Sequence, residues 1–125
     1  MATEPERKTL ALISHDGKKA DMVAFVMDHR ARLRDFELVA TQTTGKLIQE
    51  KTGLELRCML SGPYGGDAQI AAQVAEGRVN AVFFFLDPLG KHPHDPDIQG
   101  LLRICNVHNV PLATNIATAV LLINA

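Results

Sequence analysis

Apolar residues along this chain come in two kinds of run: short unbroken ones, and longer ones at helical spacing. The run TLALIS at 9–14 predicts a buried strand. Residues 18–34 carry Met22, Phe25, Val26, His29 and Leu33 three or four positions apart, the stripe of an amphipathic helix. FELVAT (36–41) predicts a second strand, TGKLIQEKTG (44–53) a short helix closed by Gly53, and LELRCML (54–60) a third strand. DAQIAAQVAEG (67–77) predicts a helix with Asp67 capping its start and Gly77 closing its end. VNAVFFFL (79–86) is apolar without a break from Ala81 on, as a strand covered on both faces must be. DIQGLLRICNVHNV (97–110) predicts a helix, PLAT (111–114) a short strand and NIATAVLLIN (115–124) a last helix.

Five strands alternating with helices predict an α/β fold, a parallel sheet covered by helices on both faces and wound by right-handed crossovers. In such sheets ligands bind beyond the carboxyl ends of the strands. The residues that follow each predicted strand therefore matter most. After the first come Ser14, His15, Asp16, Gly17, Lys18 and Lys19; after the second Thr41, Gln42, Thr43, Thr44 and Lys46. Ser61, Gly62, Gly65, Gly66 and Asp67 follow the third; Asp87, His92, His94, Asp95 and Asp97 follow the fourth; Thr114 and Asn115 follow the fifth. The loops at the other end, such as DHRARLRD and EGRVN, are plainer.

Composition narrows the function classes. The chain has 125 residues, 46% of them hydrophobic and 22% charged, with a net charge of -1, which suits one packed domain rather than a disordered or polybasic segment. Five phenylalanines and one tyrosine are not interleaved with Arg and Lys, so a nucleic-acid surface is not expected. No apolar run approaches the roughly 18 residues of a membrane span, and MATEPERK has no secretory core, so no membrane partner and a cytoplasmic location are expected. Cys58 and Cys105 lie in apolar segments and read as two buried, reduced thiols.

The candidate chemistry follows from the loops. TQTTGK opens a helix, where unpaired backbone N–H groups and the helix dipole favour an anion, threonine hydroxyls add donors, and Lys19 or Lys46 adds charge. The spacing is not that of a P-loop. SGPYGGDAQ at 61–69 has three glycines where a plain loop needs one or two; they let the chain fold tightly around a small ligand, and a carboxylate at Asp67 can then act as a general base. HPHDPD at 92–97 packs two His and two Asp together, but Pro93 and Pro96 break ligand spacing and no second cluster helps, so no metal is expected. An Asp-held histidine acting as a hydrogen-bond donor fits better.

Read in order, SHDGKK, TQTTGKLI, LSGPYGGDAQI, DPL, PHDPDIQGLLR and NVPLATNIATA resemble the methylglyoxal synthase family, over nearly the whole chain. SGPYGGD and PHDPD are the most specific parts. The resemblance implies a single domain over residues 1–125 with a flavodoxin-like three-layer fold and a five-stranded parallel sheet. It implies a homohexamer and a carbon–oxygen lyase that converts dihydroxyacetone phosphate to methylglyoxal and inorganic phosphate without cofactors, with phosphate as product or inhibitor. Asp67 matches the catalytic base and His94 the histidine beside the substrate oxygens, with Asp97 grouped with them. His15 and Lys19 match substrate contacts; Thr41, Gln42, Thr43, Thr44, Ser61 and Gly62 match the phosphate cradle; Asp16, Gly65, Gly66 and Asp87 match supporting positions. The family normally has glycine where this chain has Gln42, and a left-handed backbone there would be strained by a side chain. It also often continues past the last helix, where this chain stops at Ala125.

Two other readings compete. A non-catalytic phosphate- or effector-binding regulatory module would share the architecture but needs neither a base at Asp67 nor a proton donor at His94. A response-regulator receiver would need Asp after the third strand and Lys after the fifth, where Ser61 and Thr114–Asn115 stand.

Overall fold

The computed structural model describes residues 7–61, 64–90 and 98–125. Its strands are β1 (Thr9–Ser14), β2 (Glu37–Thr41), β3 (Arg57–Met59), β4 (Ala81–Phe85) and β5 (Leu112–Ala113). The helices are α1 (Lys19–Asp28), α2 (Arg30–Leu33), α3 (Gln42–Thr52), α4 (Gly66–Ala75), α5 (Ile98–Val107) and α6 (Ile116–Ile123). The five strands form one sheet in the order β3-β2-β1-β4-β5, and every pairing is parallel. This is the three-layer α/β class expected. Its strand order reverses between β1 and β4, as in the dinucleotide-binding folds, whereas the flavodoxin order reverses between β1 and β3.

Alternation along the strands builds two cores. Leu10 and Leu12 of β1 face the same side as Phe83 and Phe85 of β4, under Met22, Phe25 and Val26 of α1, Ile48 of α3 and Ala119 of α6. Ala11, Ile13, Val82 and Phe84 face the other side, under Ile70 and Val74 of α4 and Leu101 and Cys105 of α5. Phe83, Phe84 and Phe85 are all at most 2% exposed, and burying each contributes roughly 1.5–3 kcal/mol. This is why AVFFFL at 81–86 has no polar interruption: β4 is central and covered on both sides. Among the described residues, no helix is long and apolar enough to cross a membrane.

Four sequence expectations change. The helix expected over 18–34 is broken at His29, whose backbone leaves the helix at φ −118° and ψ 23°. The His29 ring stacks on Phe25 with centroids 4.6 Å apart, and its Nδ1 donates to the Phe25 carbonyl at 3.0 Å. The strand expected over 54–60 shortens to Arg57–Met59. β3 pairs only with β2 at the edge of the sheet, which leaves Cys58 exposed, not buried. His108 falls just past the end of α5, followed by Asn109 in a left-handed turn at φ 56°.

Cys105 is 1% exposed, and burial pushes its thiol above the ordinary value of 9.0. In native protein one thiol, Cys58, is expected to react with a thiol reagent, and Cys105 only after unfolding. A mass spectrum showing both labelled equally fast in the native state would contradict this. The folded chain holds the Cys105 proton more tightly than the unfolded one, so this contribution to stability is complete below pH 9.0 and declines as pH rises through the raised folded value. Cys105→Ala is expected to shallow that alkaline decline in urea unfolding curves.

Candidate active site

Sheet topology brings the polar loops together. β1 and β4 are neighbours at the point where the strand order reverses, and the loops that follow them, carrying His15 and Asp87, meet beyond their carboxyl ends. β2 and β3 lie beside them, and α3 and α4 start from that same edge. A larger cavity of about 780 Å³, lined by Arg7, Glu37, Leu54 and Arg57 among others, lies at the amino end of the strands, away from these loops.

The starts of α3 and α4 meet at Leu60. The Gln42 backbone N–H, first in α3, points at the Leu60 carbonyl at 3.5 Å. Gly66, first in α4, lies so near that a Cβ there would sit 1.7 Å from the same oxygen and 3.1 Å from Thr41 Cγ2. Only glycine fits. Gly65 precedes it in the left-handed region at φ 93°, and the N–H groups of Tyr64 and Gly66 both donate to the Ser61 carbonyl, at 3.0 and 3.1 Å. These contacts assign the structural need for Gly65 and Gly66. They also move the cap: Gly65 takes the position expected for Asp67, and Asp67 falls in the first helical turn, half-buried. The tight turn onto Ser61 uses up the residues that a side-chain cap would have needed.

The Thr41–Thr44 segment divides between two roles. Gln42 and Thr43 are exposed at the helix start, beside a cleft of about 330 Å³ that Lys46 and Ser61 also line. Thr41 and Thr44 are buried, 4% and 2% exposed. Thr44 Oγ1 lies 3.2 Å from Ser14 Oγ, a buried hydroxyl pair that ties the start of α3 to the end of β1. Gln42 is helical. Among the described non-glycine residues only Asn109 has positive φ, so the strain considered for a side chain at position 42 does not arise.

Beyond β1, the His15 N–H donates to the Phe85 carbonyl at 3.1 Å, and the imidazole meets Phe84 edge-on at 5.4 Å. His15 Nδ1 accepts the backbone N–H of Asp87 at 3.0 Å. Lys19 opens α1 with its ammonium 2.5 Å from Asp16 Oδ1; an exposed pair of this kind orients the lysine more than it stabilises the fold. Asp87 Oδ1 accepts the N–H groups of Leu89 and Gly90, both at 3.1 Å. Sequence reasoning took Asp87 for a supporting carboxylate and missed this turn. DPLG at 87–90 carried the signal, with Asp first, Pro second and Gly fourth. Ser14 and Gly17 were also not singled out as site residues.

Gly62, His94 and Asp97 lie outside the described residues, as does the rest of HPHDPD. Among the described residues, no three His, Cys, Asp or Glu side chains converge to hold a metal. The arrangement offers two helix starts and several hydroxyls to an anion, a carboxylate in the turn beside them, and an imidazole across the switch point. That set suits proton removal from a small phosphorylated carbon acid.

Residues 21–114 match the family model described as MGS-like domain. The chain is 59% identical over 116 residues to the methylglyoxal synthase of Thermus thermophilus, spanning 93% of this chain and 92% of that protein. It is 56% identical over 115 residues to the methylglyoxal synthase of Ralstonia nicotianae, spanning 92% and 85%. The crystal structure of methylglyoxal synthase from Elizabethkingia anophelis is similar at a TM-score of 0.94 and 45% identity, covering 97% of this chain and 80% of that one.

Gly66→Ala is expected to destabilise by about 3 kcal/mol, because the Leu60 carbonyl is backbone and cannot swing away. Gly53→Ala, where only a left-handed turn at φ 73° is at stake and no atom lies within 4 Å, is expected to cost about 1 kcal/mol. Urea denaturation of the two variants checks the order; equal losses would mean that the approach at Leu60 is not the tight one.

Proposed function

The chain belongs to the family of MGS-like domains, and from that premise we propose that it is a carbon–oxygen lyase converting dihydroxyacetone phosphate to methylglyoxal and inorganic phosphate. The observation that carries the reading in the structure is the meeting of two helix starts at Leu60, one open to an anion and the other bearing Asp67. Nothing among the matched relatives supports the alternative of a non-catalytic effector module.

In the proposed reaction the substrate phosphate lies at the start of α3, against Gln42, Thr43 and Ser61, with Gly62 and Lys19 adding donors and charge. Thr41 and Thr44 support that surface from beneath. Asp67 removes a proton from the hydroxymethyl carbon. The electron pair moves into an enediolate, whose oxygens receive hydrogen bonds from His94 and His15. The enediolate then re-forms a carbonyl and expels phosphate as the bridging C–O bond breaks. This step needs that bond roughly perpendicular to the enediolate plane, and a fixed phosphate sets the torsion. The enol released takes a proton on its terminal carbon to become methylglyoxal. His94 serves as a neutral donor, since the phosphate already brings the negative charge that Lys19 and the amides meet. Asp16 holds Lys19, and Asp97 belongs with the catalytic pair. The proton transfers and the expulsion of phosphate require no cofactor.

The proposal includes a cytoplasmic location, which the two free thiols fit, and a homohexamer. Exposed apolar side chains support assembly: Leu121 at 74% and Ile116 at 40% on α6, and Val107 at 66% on α5.

Purified protein is expected to release phosphate from dihydroxyacetone phosphate, and Asp67→Asn to lose about 10²–10⁴-fold in turnover while keeping its fold. Wild-type turnover in a folded Asp67→Asn variant would rule out the base; saturable binding without turnover in the parent would favour the effector module. Light scattering is expected to give six times the chain mass, and a monomer at micromolar concentration would remove the hexamer.

A further inference from the structure

We infer that the Asp87–Gly90 turn is a positioning device that holds His15 in a single tautomer, with the ring proton on Nε2. A backbone N–H can only donate. The Asp87 N–H lies 3.0 Å from His15 Nδ1, so Nδ1 is the accepting nitrogen, and in neutral imidazole Nε2 carries the proton. The backbone and ring of His15 are both placed by β4. The backbone N–H is tied to Phe85 at 3.1 Å, and the ring edge packs at 90° to Phe84.

The Asp87 side chain holds the donor in place. Its Oδ1 accepts from Leu89 and Gly90, closing the turn from which its own N–H projects. Its Oδ2 fills the space that side chains at two glycines would occupy: a Cβ on Gly17 would come within 2.3 Å of it, and one on Gly90 within 2.5 Å. Gly17 belongs to the turn just after His15, so the two loops at the switch point interlock, each supplying what the other needs. The Asp87 carboxylate therefore acts on its own loop and, through the backbone amide, on His15. It is a positioning residue, and what it fixes is which nitrogen of His15 donates to a ligand.

As a statement about substrate this rests on the lyase reading; as a statement about the tautomer it does not. The test therefore has two arms. In the first, ring ¹⁵N shifts of His15 are measured by NMR in the ligand-free protein. One tautomer, protonated on Nε2, is expected in the parent and in Asp87→Asn, whose Oδ1 can still close the turn. Mixed tautomers are expected in Asp87→Ala and in Gly17→Ala, which pushes the carboxylate aside without removing it. A proton on Nδ1 in the parent, or an unmixed Nε2 tautomer in a folded Gly17→Ala, would overturn the inference whether or not the protein is a lyase. The second arm compares His15→Gln, whose amide N–H₂ reaches the Nε2 position, with His15→Asn, which reaches only Nδ1. Donation from Nε2 predicts that His15→Gln keeps kcat/KM for dihydroxyacetone phosphate about tenfold or more above His15→Asn. His15→Asn equal to or better than His15→Gln would overturn it. Absence of turnover in the parent would refute the lyase reading and leave the first arm to decide the tautomer.

Discussion

The close approach at Leu60 is the constraint on which the site depends. One carbonyl oxygen lies 3.5 Å from the first N–H of α3 and where a side chain on the first residue of α4 would be. Two helix starts are thereby held within a few ångströms of each other. Each presents backbone donors that have no partner within its own helix, so their meeting concentrates positive potential at one spot on the sheet edge. A glycine at 66 is the condition for that meeting, and the left-handed Gly65 is the condition for the chain to turn back in time. The carboxylate of Asp67 is delivered by the same turn.

The second constraint is the reversal of strand order between β1 and β4. Because β1 is central, the residues leaving it cannot spread to either side without meeting a neighbour. His15 meets the end of β4 through Phe85 and Asp87, and Ser14 meets α3 through Thr44. The site is built of short, mutually bonded loops on a rigid sheet. A site that works by positioning a base and donors requires that rigidity, since a shift of a fraction of an ångström in either lowers the rate directly.

The cores explain why such loops can be held. The alternation of β1 and β4 sends Leu10, Leu12, Phe83 and Phe85 to one face and Ala11, Ile13, Val82 and Phe84 to the other. In register Leu12 lies beside Phe83 on one face and Ile13 beside Phe84 on the other, so the pair fills both layers. Buried polar groups find partners: Ser14 pairs with Thr44, and Thr52 Oγ1 donates to the Ile48 carbonyl.

The sequence by itself determined the five strands and their alternation with helices along the chain, the parallel sheet, and the edge on which the chemistry sits, because hydrophobic period and glycine stops are local signals. It also carried the candidate loops, since TQTTGK and SGPYGGD stand out without any structure. What it did not determine were contacts between residues distant along the chain. The break at His29 depends on a ring stacking on Phe25; the exposure of Cys58 depends on β3 being an edge strand, which no local pattern announces. Asp67 read as a cap because the turn from Ser61 to Gly66 was invisible. Whether Gln42 would be strained stayed open because its φ was unknown, and Asp87 read as a carboxylate when its backbone N–H also matters. Each of these is decided by which loops the strand order places side by side, and strand order is a property of the folded chain as a whole.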